Sequence, residues 1–197
     1  MMNSDYKNRI KSRTILRFIF GLLPRLQKFV KYSIICSIAI LRGAKVGKNV
    51  VIPLKLALRA NKNLVIGENS SIQSDKLDLR SSVVIGSNVI IGKNVEIITE
   101  SHNIDSQNWE QLKYGIKIDD FVWISTNALI LPTCQQIEYG AVCGASSVVS
   151  KNVEKMQVVV GNPAKVIRQR KNTHNLIHTE ALLGNDLLNY IKTYFDR

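Results

Sequence analysis

The chain has 197 residues, 45% hydrophobic and 21% charged, a balance that suits one folded domain with appendages and excludes a wholly disordered chain or a second full-sized domain. Its formal net charge of +12 is concentrated at one end: residues 1 to 45 carry ten Lys or Arg and the single acid Asp5, giving +9, while the remaining seventeen cations and fourteen acids give +3. Cys36, Cys134 and Cys143 are odd in number and lack a CxxC spacing, which argues against a disulfide framework or a zinc site and for a reducing, cytoplasmic compartment.

The first predicted element is a basic, amphipathic helical segment over residues 1–43. "RTILRFIFGLLPRLQKFVKYSIICSIAIL" interleaves cations with large apolar side chains, which suits peripheral docking on an anionic membrane surface, here the inner face of the plasma membrane. Packing of one apolar face on the protein's own core is the equal alternative. The longest uncharged run, Tyr32 to Leu41, has ten residues, against roughly 20 needed to span a bilayer. Charges recurring through the apolar part also argue against a cleaved signal peptide. No stacking platform or recognition motif accompanies the charge, so nucleic acid is not the expected partner.

From residue 44 to residue 170 the chain repeats every six residues. An aliphatic residue, often followed by Gly, returns at Ile66 and Ile72, at Ile85, Ile91 and Ile97, at Ile118, Ile124 and Ile130, then at Ile137, Cys143 and Val149. On a helix a six-residue step sets successive aliphatics about 120° apart, and the recurring Gly and Asn are poor helix formers. A solenoid fits: each hexad is one short strand and a bend, the aliphatic pointing inward, Gly-Xaa-Asn turning the corner and the fifth residue also pointing in. Three hexads close one triangular coil. Between Ile97 and Ile118 the rhythm breaks, predicting an external loop over residues 101–117 that carries His102 at its root. Beyond residue 171, apolar residues at 176, 177, 182, 183, 187, 188, 191, 194 and 195 predict a C-terminal amphipathic helix over 171–197 that covers part of the solenoid. His174 and His178 within it read as surface residues.

"SHNID", "IDDFVWIS", "ILP", "AVCGASSVVSKNV" and "VVGNPAKVIR", in that order, resemble the hexapeptide-repeat acyltransferases, whose fold is a left-handed parallel β-helix. Within that family the arrangement is similar to acetyltransferases that decorate sugars in surface-polysaccharide synthesis. The resemblance implies an all-β solenoid, acetyl-CoA as co-substrate with no metal, a saccharide acceptor and a homotrimer with the cofactor lying between neighbouring subunits.

The resemblance also implies that His102 is the general base. A sugar hydroxyl is a poor nucleophile at neutral pH, and an imidazole can take its proton as it attacks a thioester. Glu100, Asp105 or a backbone carbonyl is open as the orienting partner, with Asp105 preferred. Backbone N–H groups of "VWIST" are candidate oxyanion donors. Trp123 either lines the site or packs the coil, and Ser125 stands where the family usually has Gly. Carried over by position, Ser125, Thr126 and Ala145 meet the pantetheine arm, Ser150 and Lys151 sit near the nucleotide, and Lys165 and Arg168 reach the phosphates, which Lys and Arg pair with well. "LPTCQQIEYGA" is one residue longer than the family's pattern and lacks its Gly, which leaves the corner near Cys134 open.

The expected activity is an acetyl-CoA-dependent O-acetyltransferase on a saccharide. The alternatives are an N-acetyltransferase on an amino sugar nucleotide and, from a different class, a non-catalytic scaffold. A γ-type carbonic anhydrase fails because one histidine, not three, lies in the repeat.

Overall fold

Two helices precede the repeat: α1 (Ser4–Lys11) and α2 (Ile15–Leu41). Thr14 separates them and caps α2, its hydroxyl accepting from the Arg17 N–H at 3.4 Å. The computed structural model describes residues 4–173, 183 and 185–196.

The repeat then winds into a three-faced parallel solenoid. In the first coil β1 (Lys45–Val46) starts the first face and Val51 bridges to the second, while α3 (Leu54–Arg59) stands in place of the third strand. The second coil is β2 (Leu64–Ile66), β3 (Ser71–Ile72) and Leu77. The third is β4 (Val83–Ile85), β5 (Ile90–Ile91) and β6 (Glu96–Ile97). A hairpin, β7 (Glu100–His102) and β8 (Gln111–Lys113), then leaves the coil. The fourth coil follows as β9 (Ile116–Ile118), β10 (Trp123–Ile124) and β11 (Leu129–Ile130), and the fifth as β12 (Gln136–Ile137), β13 (Val142–Cys143) and β14 (Val148–Val149). β15 (Gln157–Val160) closes the second face, and β16 (Lys165–Gln169) folds back antiparallel on it.

The hexad aliphatics stack in columns through this register. Ile66, Ile85, Ile118 and Ile137 line one face, Ile72, Ile91, Ile124 and Cys143 the next, and Ile97, Ile130 and Val149 the third. All of them are buried, each worth about 1.5–3 kcal/mol for the larger aliphatics. The first-to-second corners and the later second-to-third corners turn on a residue with positive φ, at most of them one place before the second inward residue: Asn49, Asn69, Asn88 and Asn94 at 55–59°, Asn127 at 61°, Ser146 at 57°. Asn tolerates this region with little penalty. Asn49 Nδ2 also donates to Asn69 Oδ1 at 3.1 Å, tying two coils at the corner.

Four expectations are adjusted. The excursion expected at 101–117 ends earlier, because Ile116 and Lys117 belong to β9 and Ile116 is buried opposite Val83; the inserted segment is a paired hairpin rather than an open loop. The extra residue near Cys134 is absorbed at the corner: Cys134 is buried, and Asn152 Oδ1 accepts from the Gln135 and Gln136 amides at 2.8 and 3.0 Å, so Ile137 keeps register with Ile118. The C-terminal helix α4 (Leu187–Phe195) is shorter than the predicted 171–197, since residues 171–173 are not helical; residues 174–182, with His174 and His178, lie outside the described residues. And α4 packs on α1 and α2 rather than on the solenoid, because its tyrosines stack on an aromatic of α2: Phe18 lies 3.9 Å from Tyr194 and 5.0 Å from Tyr190, ring centre to ring centre.

α2 therefore serves two bodies. Its second half, through Ile35, Cys36, Ile38 and Ala39, packs on the core of the solenoid, and its first half, through Phe18 and Leu22, builds a small cluster with Ile10, Tyr190 and Tyr194. Gly21 is what lets Tyr190 lie against the helix: a Cβ there would collide with the tyrosine hydroxyl, which Phe18 O and Arg13 Nη1 hold at 3.1 and 2.9 Å. Gly→Ala inside a helix ordinarily stabilises by about 1 kcal/mol. Gly21→Ala is expected to reverse that sign and destabilise by about 1–3 kcal/mol through overpacking, read as a lower midpoint in urea unfolding.

Candidate active site

The hairpin is fixed at its root by a network of side chains. Burial works against the charge of Asp78, but bonds from the Arg80 guanidinium and from the Arg80 and Thr99 amides outweigh it and hold its carboxyl at a pKa of about 2. Thr99 Oγ1 donates to Asp78 O at 3.2 Å, and one residue on, the Glu100 carboxylate is buried. Ser81 Oγ donates to Glu100 Oε1 at 2.9 Å, Gln111 Nε2 donates to Oε2 across the hairpin, and Arg80 Nη1 stands 3.7 Å away. Gln111 is the residue paired with His102 in the β7–β8 register. Glu100 thus ties the strand opposite His102 to the solenoid.

His102 is exposed at the end of β7. Its Nδ1 lies 2.9 Å from Trp109 O, and its ring stacks on the Trp109 indole at 5.3 Å and 15°. A carbonyl can only accept, so the neutral imidazole carries its proton on Nδ1 and leaves the Nε2 lone pair unprotonated. The orienting partner is therefore the backbone carbonyl, one of the open choices, and not Asp105 or Glu100. Asp105 is exposed on the hairpin, its amide N–H donating to Asn103 Oδ1 at 3.1 Å. The aromatic beside His102 is Trp109 rather than Trp123.

Trp123 lies on the outer surface of the second face, in line with Ile90 and Val142, and is 46% exposed, so it does not pack the coil interior. That face stands opposite the edge bearing the hairpin, which joins the third face to the first. The chain does not bring Trp123 to His102.

The residues expected to hold the cofactor divide between two edges. At the edge between the second and third faces, Thr126 and Ala145 occupy equivalent exposed positions in successive coils, linked by the Ser146 N–H to Thr126 O at 3.0 Å. Ser125 keeps its ladder bond to Cys143 O at 2.9 Å, and the positive φ of this corner falls on Asn127, so a side chain is tolerated where neighbouring coils have Gly92 and Gly144. Of the "VWIST" amides, Trp123 and Ser125 are committed to Ala141 O and Cys143 O. The turn 161–164 closes over the same edge: Val148 N–H donates to Gly161 O at 2.9 Å and Ala164 N–H to Val148 O at 2.8 Å, which sets Lys165 just beyond, with Arg168 exposed further along β16. Ser150 and Lys151 instead follow β14 at the third-to-first edge, on the hairpin's side, where Ser150 O accepts from Thr133 Oγ1 at 2.7 Å.

No protein-family model matches the chain. Over 132 residues it is 34% identical to a protein of Escherichia coli K12 named for colanic acid biosynthesis, the acetyltransferase WcaF, covering 66% of this chain and 72% of WcaF. The chain belongs to the hexapeptide-repeat acetyltransferases. Galactoside O-acetyltransferase of the same bacterium is 30% identical over 64% of each chain. Of a fission-yeast acetyltransferase relative, 38% identical over 46% of this chain, only 44% of the length is spanned. A crystal structure of a Vibrio cholerae hexapeptide-repeat acetyltransferase complexed with acetyl-coenzyme A shares the fold, at 24% identity and a TM-score of 0.59 over 84% of both chains.

For this hexapeptide-repeat acetyltransferase, sequence reasoning located the histidine but missed Trp109, Glu100's bonds and Gln111. The signal available was the hairpin itself: two short polar runs flanking "NIDSQNW". Glu100→Ala would leave Ser81 and Gln111 without their acceptor, a loss of about 1–3 kcal/mol. Amide hydrogen exchange is expected to speed up across residues 100–113 while the coils at Ile91 and Ile124 stay protected.

Proposed function

We propose that this chain is an acetyl-CoA-dependent O-acetyltransferase that acetylates a hydroxyl of a saccharide in surface-polysaccharide biosynthesis, with His102 as general base. The observation that carries the reading is the Nδ1 tether to Trp109 O, 2.9 Å, which leaves Nε2 as the basic nitrogen at an exposed position. Nε2 takes the proton of the sugar hydroxyl as its oxygen attacks the thioester carbonyl. The imidazolium keeps its bond to the Trp109 carbonyl and its stack on the indole, both favourable to a cation. As the tetrahedral intermediate collapses, the C–S bond breaks and Nε2–H returns the proton to the departing thiolate. Thr126 N–H is suited to the oxyanion, and Lys165 and Arg168 to the cofactor phosphates.

His102 and the Thr126–Ala145 edge flank the third face from opposite sides, at different edges of the prism. A base from one copy facing the cofactor edge of the next completes the site, which is the arrangement of a cyclic homotrimer of left-handed β-helices. The names of WcaF and galactoside O-acetyltransferase support a saccharide hydroxyl as acceptor.

His102→Ala is expected to lower kcat at least about 100-fold with thermal stability unchanged, because the side chain is exposed. The assay is release of the coenzyme A thiol with a panel of saccharides. A variant keeping more than about a tenth of the wild-type kcat would contradict the base assignment. Lys165→Ala and Arg168→Ala are expected to raise KM for acetyl-CoA with kcat little changed, and to leave KM for acetyl-pantetheine alone. An equal penalty on the truncated donor would remove these residues from the phosphates.

A further inference from the structure

α2 does not spend all its apolar surface on the protein. The face carrying Phe18, Leu22, Ile35 and Ala39 packs inward, yet Ile15, Ile19, Leu23, Leu26, Val30 and Ile34, spaced three or four apart, form a second stripe on the outside. They are 46–58% exposed, and Leu16 and Phe20, at 67% and 73%, widen the stripe on one side. Isolated exposed leucines mean nothing, but eight large apolar side chains on one helix face are a contiguous patch of the kind that marks an interaction surface.

The charges beside the stripe select its occupant. Past Phe20 the next positions around the helix are Lys31, Pro24, Arg17 and Lys28; Lys31 and Arg17 are exposed along that margin, while Lys28 Nζ donates to Leu183 O at 2.5 Å. Lys7 and Arg9 on α1 are exposed as well. After Asp5 no acidic residue occurs until Glu68. A second copy laid on the same face would bring like charges together with no acid of this region to offset them. An anionic lipid surface offers the opposite: phosphates for the cationic margin and acyl chains for the stripe. Among the described residues no helix is long and apolar enough to cross a membrane, so the helix lies along the surface rather than through it.

We propose that the outward face of α2, from Ile15 to Ile34, docks in the plane of an anionic bilayer while its inward face remains packed on the solenoid. The two roles foreseen for this segment are then two faces of one helix. Docking does not depend on the acetyl-transfer reading, and its test uses no activity.

The full chain is to be sedimented with vesicles of phosphatidylcholine alone and of phosphatidylcholine with phosphatidylglycerol, at low and high salt. Binding is expected only to the anionic vesicles and is expected to fall as salt rises. Phe20→Ser with Leu23→Ser should reduce binding about tenfold or more, and Arg17→Glu with Lys31→Glu by roughly fivefold or more per cation. Thermal unfolding establishes that the variants fold, and the wild-type arm decides even where a variant does not. Absence of wild-type binding to anionic vesicles at low salt would overturn the proposal. So would unchanged binding of the folded Phe20→Ser, Leu23→Ser variant. A smaller particle for that variant by light scattering, without wild-type vesicle binding, would give the face to a second copy instead.

Discussion

One backbone constraint underlies the fold: the first-to-second corner of every coil, and the second-to-third corner of the third, fourth and fifth coils, turn in the left-handed region of φ. Strands of two or three residues cannot hold a register by length. They hold it because a residue such as Asn88, Asn94 or Asn127 turns the corner into the second or third face and delivers the next aliphatic inward. The columns of buried isoleucine follow from that. So does the placement of function, because anything inserted between two coils must leave at a corner and return to the same register. The hairpin does so between Ile97 and Ile116 without disturbing the column that joins Ile97 to Ile130.

The corner rule is also where the chain departs from its own pattern. At the first-to-second corner Asn gives way to Phe121, at a φ of 60°, which a bulky side chain adopts only when its surroundings hold it there. Two things do: Phe121 packs edge-on to Tyr139 at 5.5 Å, and Arg170 Nη1, returning from β16, donates to the carbonyls of Phe121 and Gly140 at 3.1 Å each. The antiparallel strand that carries Lys165 and Arg168 is thereby clamped to a corner of the fourth coil. Arg170 links the strand that follows the second-to-third edge to the strained corner.

The inward residues, the corners and the root position of His102 were legible in the sequence because each depends on local spacing alone. The orientation of the histidine was not, since the Trp109 carbonyl reaches it only after the hairpin closes, with Trp109 itself at a φ of 51°. The carboxylates closest in sequence, Glu100 and Asp105, were the natural candidates. Alternation along β7 turns Glu100 inward to Ser81, and the other lies at the exposed tip. The same logic explains α4: its apolar stripe was readable, but what it covers depends on the gap that Gly21 opens for Tyr190.

The central claim is that acetyl transfer needs the His102 hairpin of one copy and the Thr126–Ala145 edge of another. Complementation tests it most directly. Ala145→Trp fills the exposed cofactor edge without entering the core, and His102→Ala removes the base. Each variant alone is expected to be inactive, and co-refolding the two in equal amounts should restore a substantial fraction of wild-type activity, since mixed oligomers contain interfaces with both elements intact. Mixtures that stay as inactive as the separate variants would contradict the account, and would place base and cofactor within a single chain.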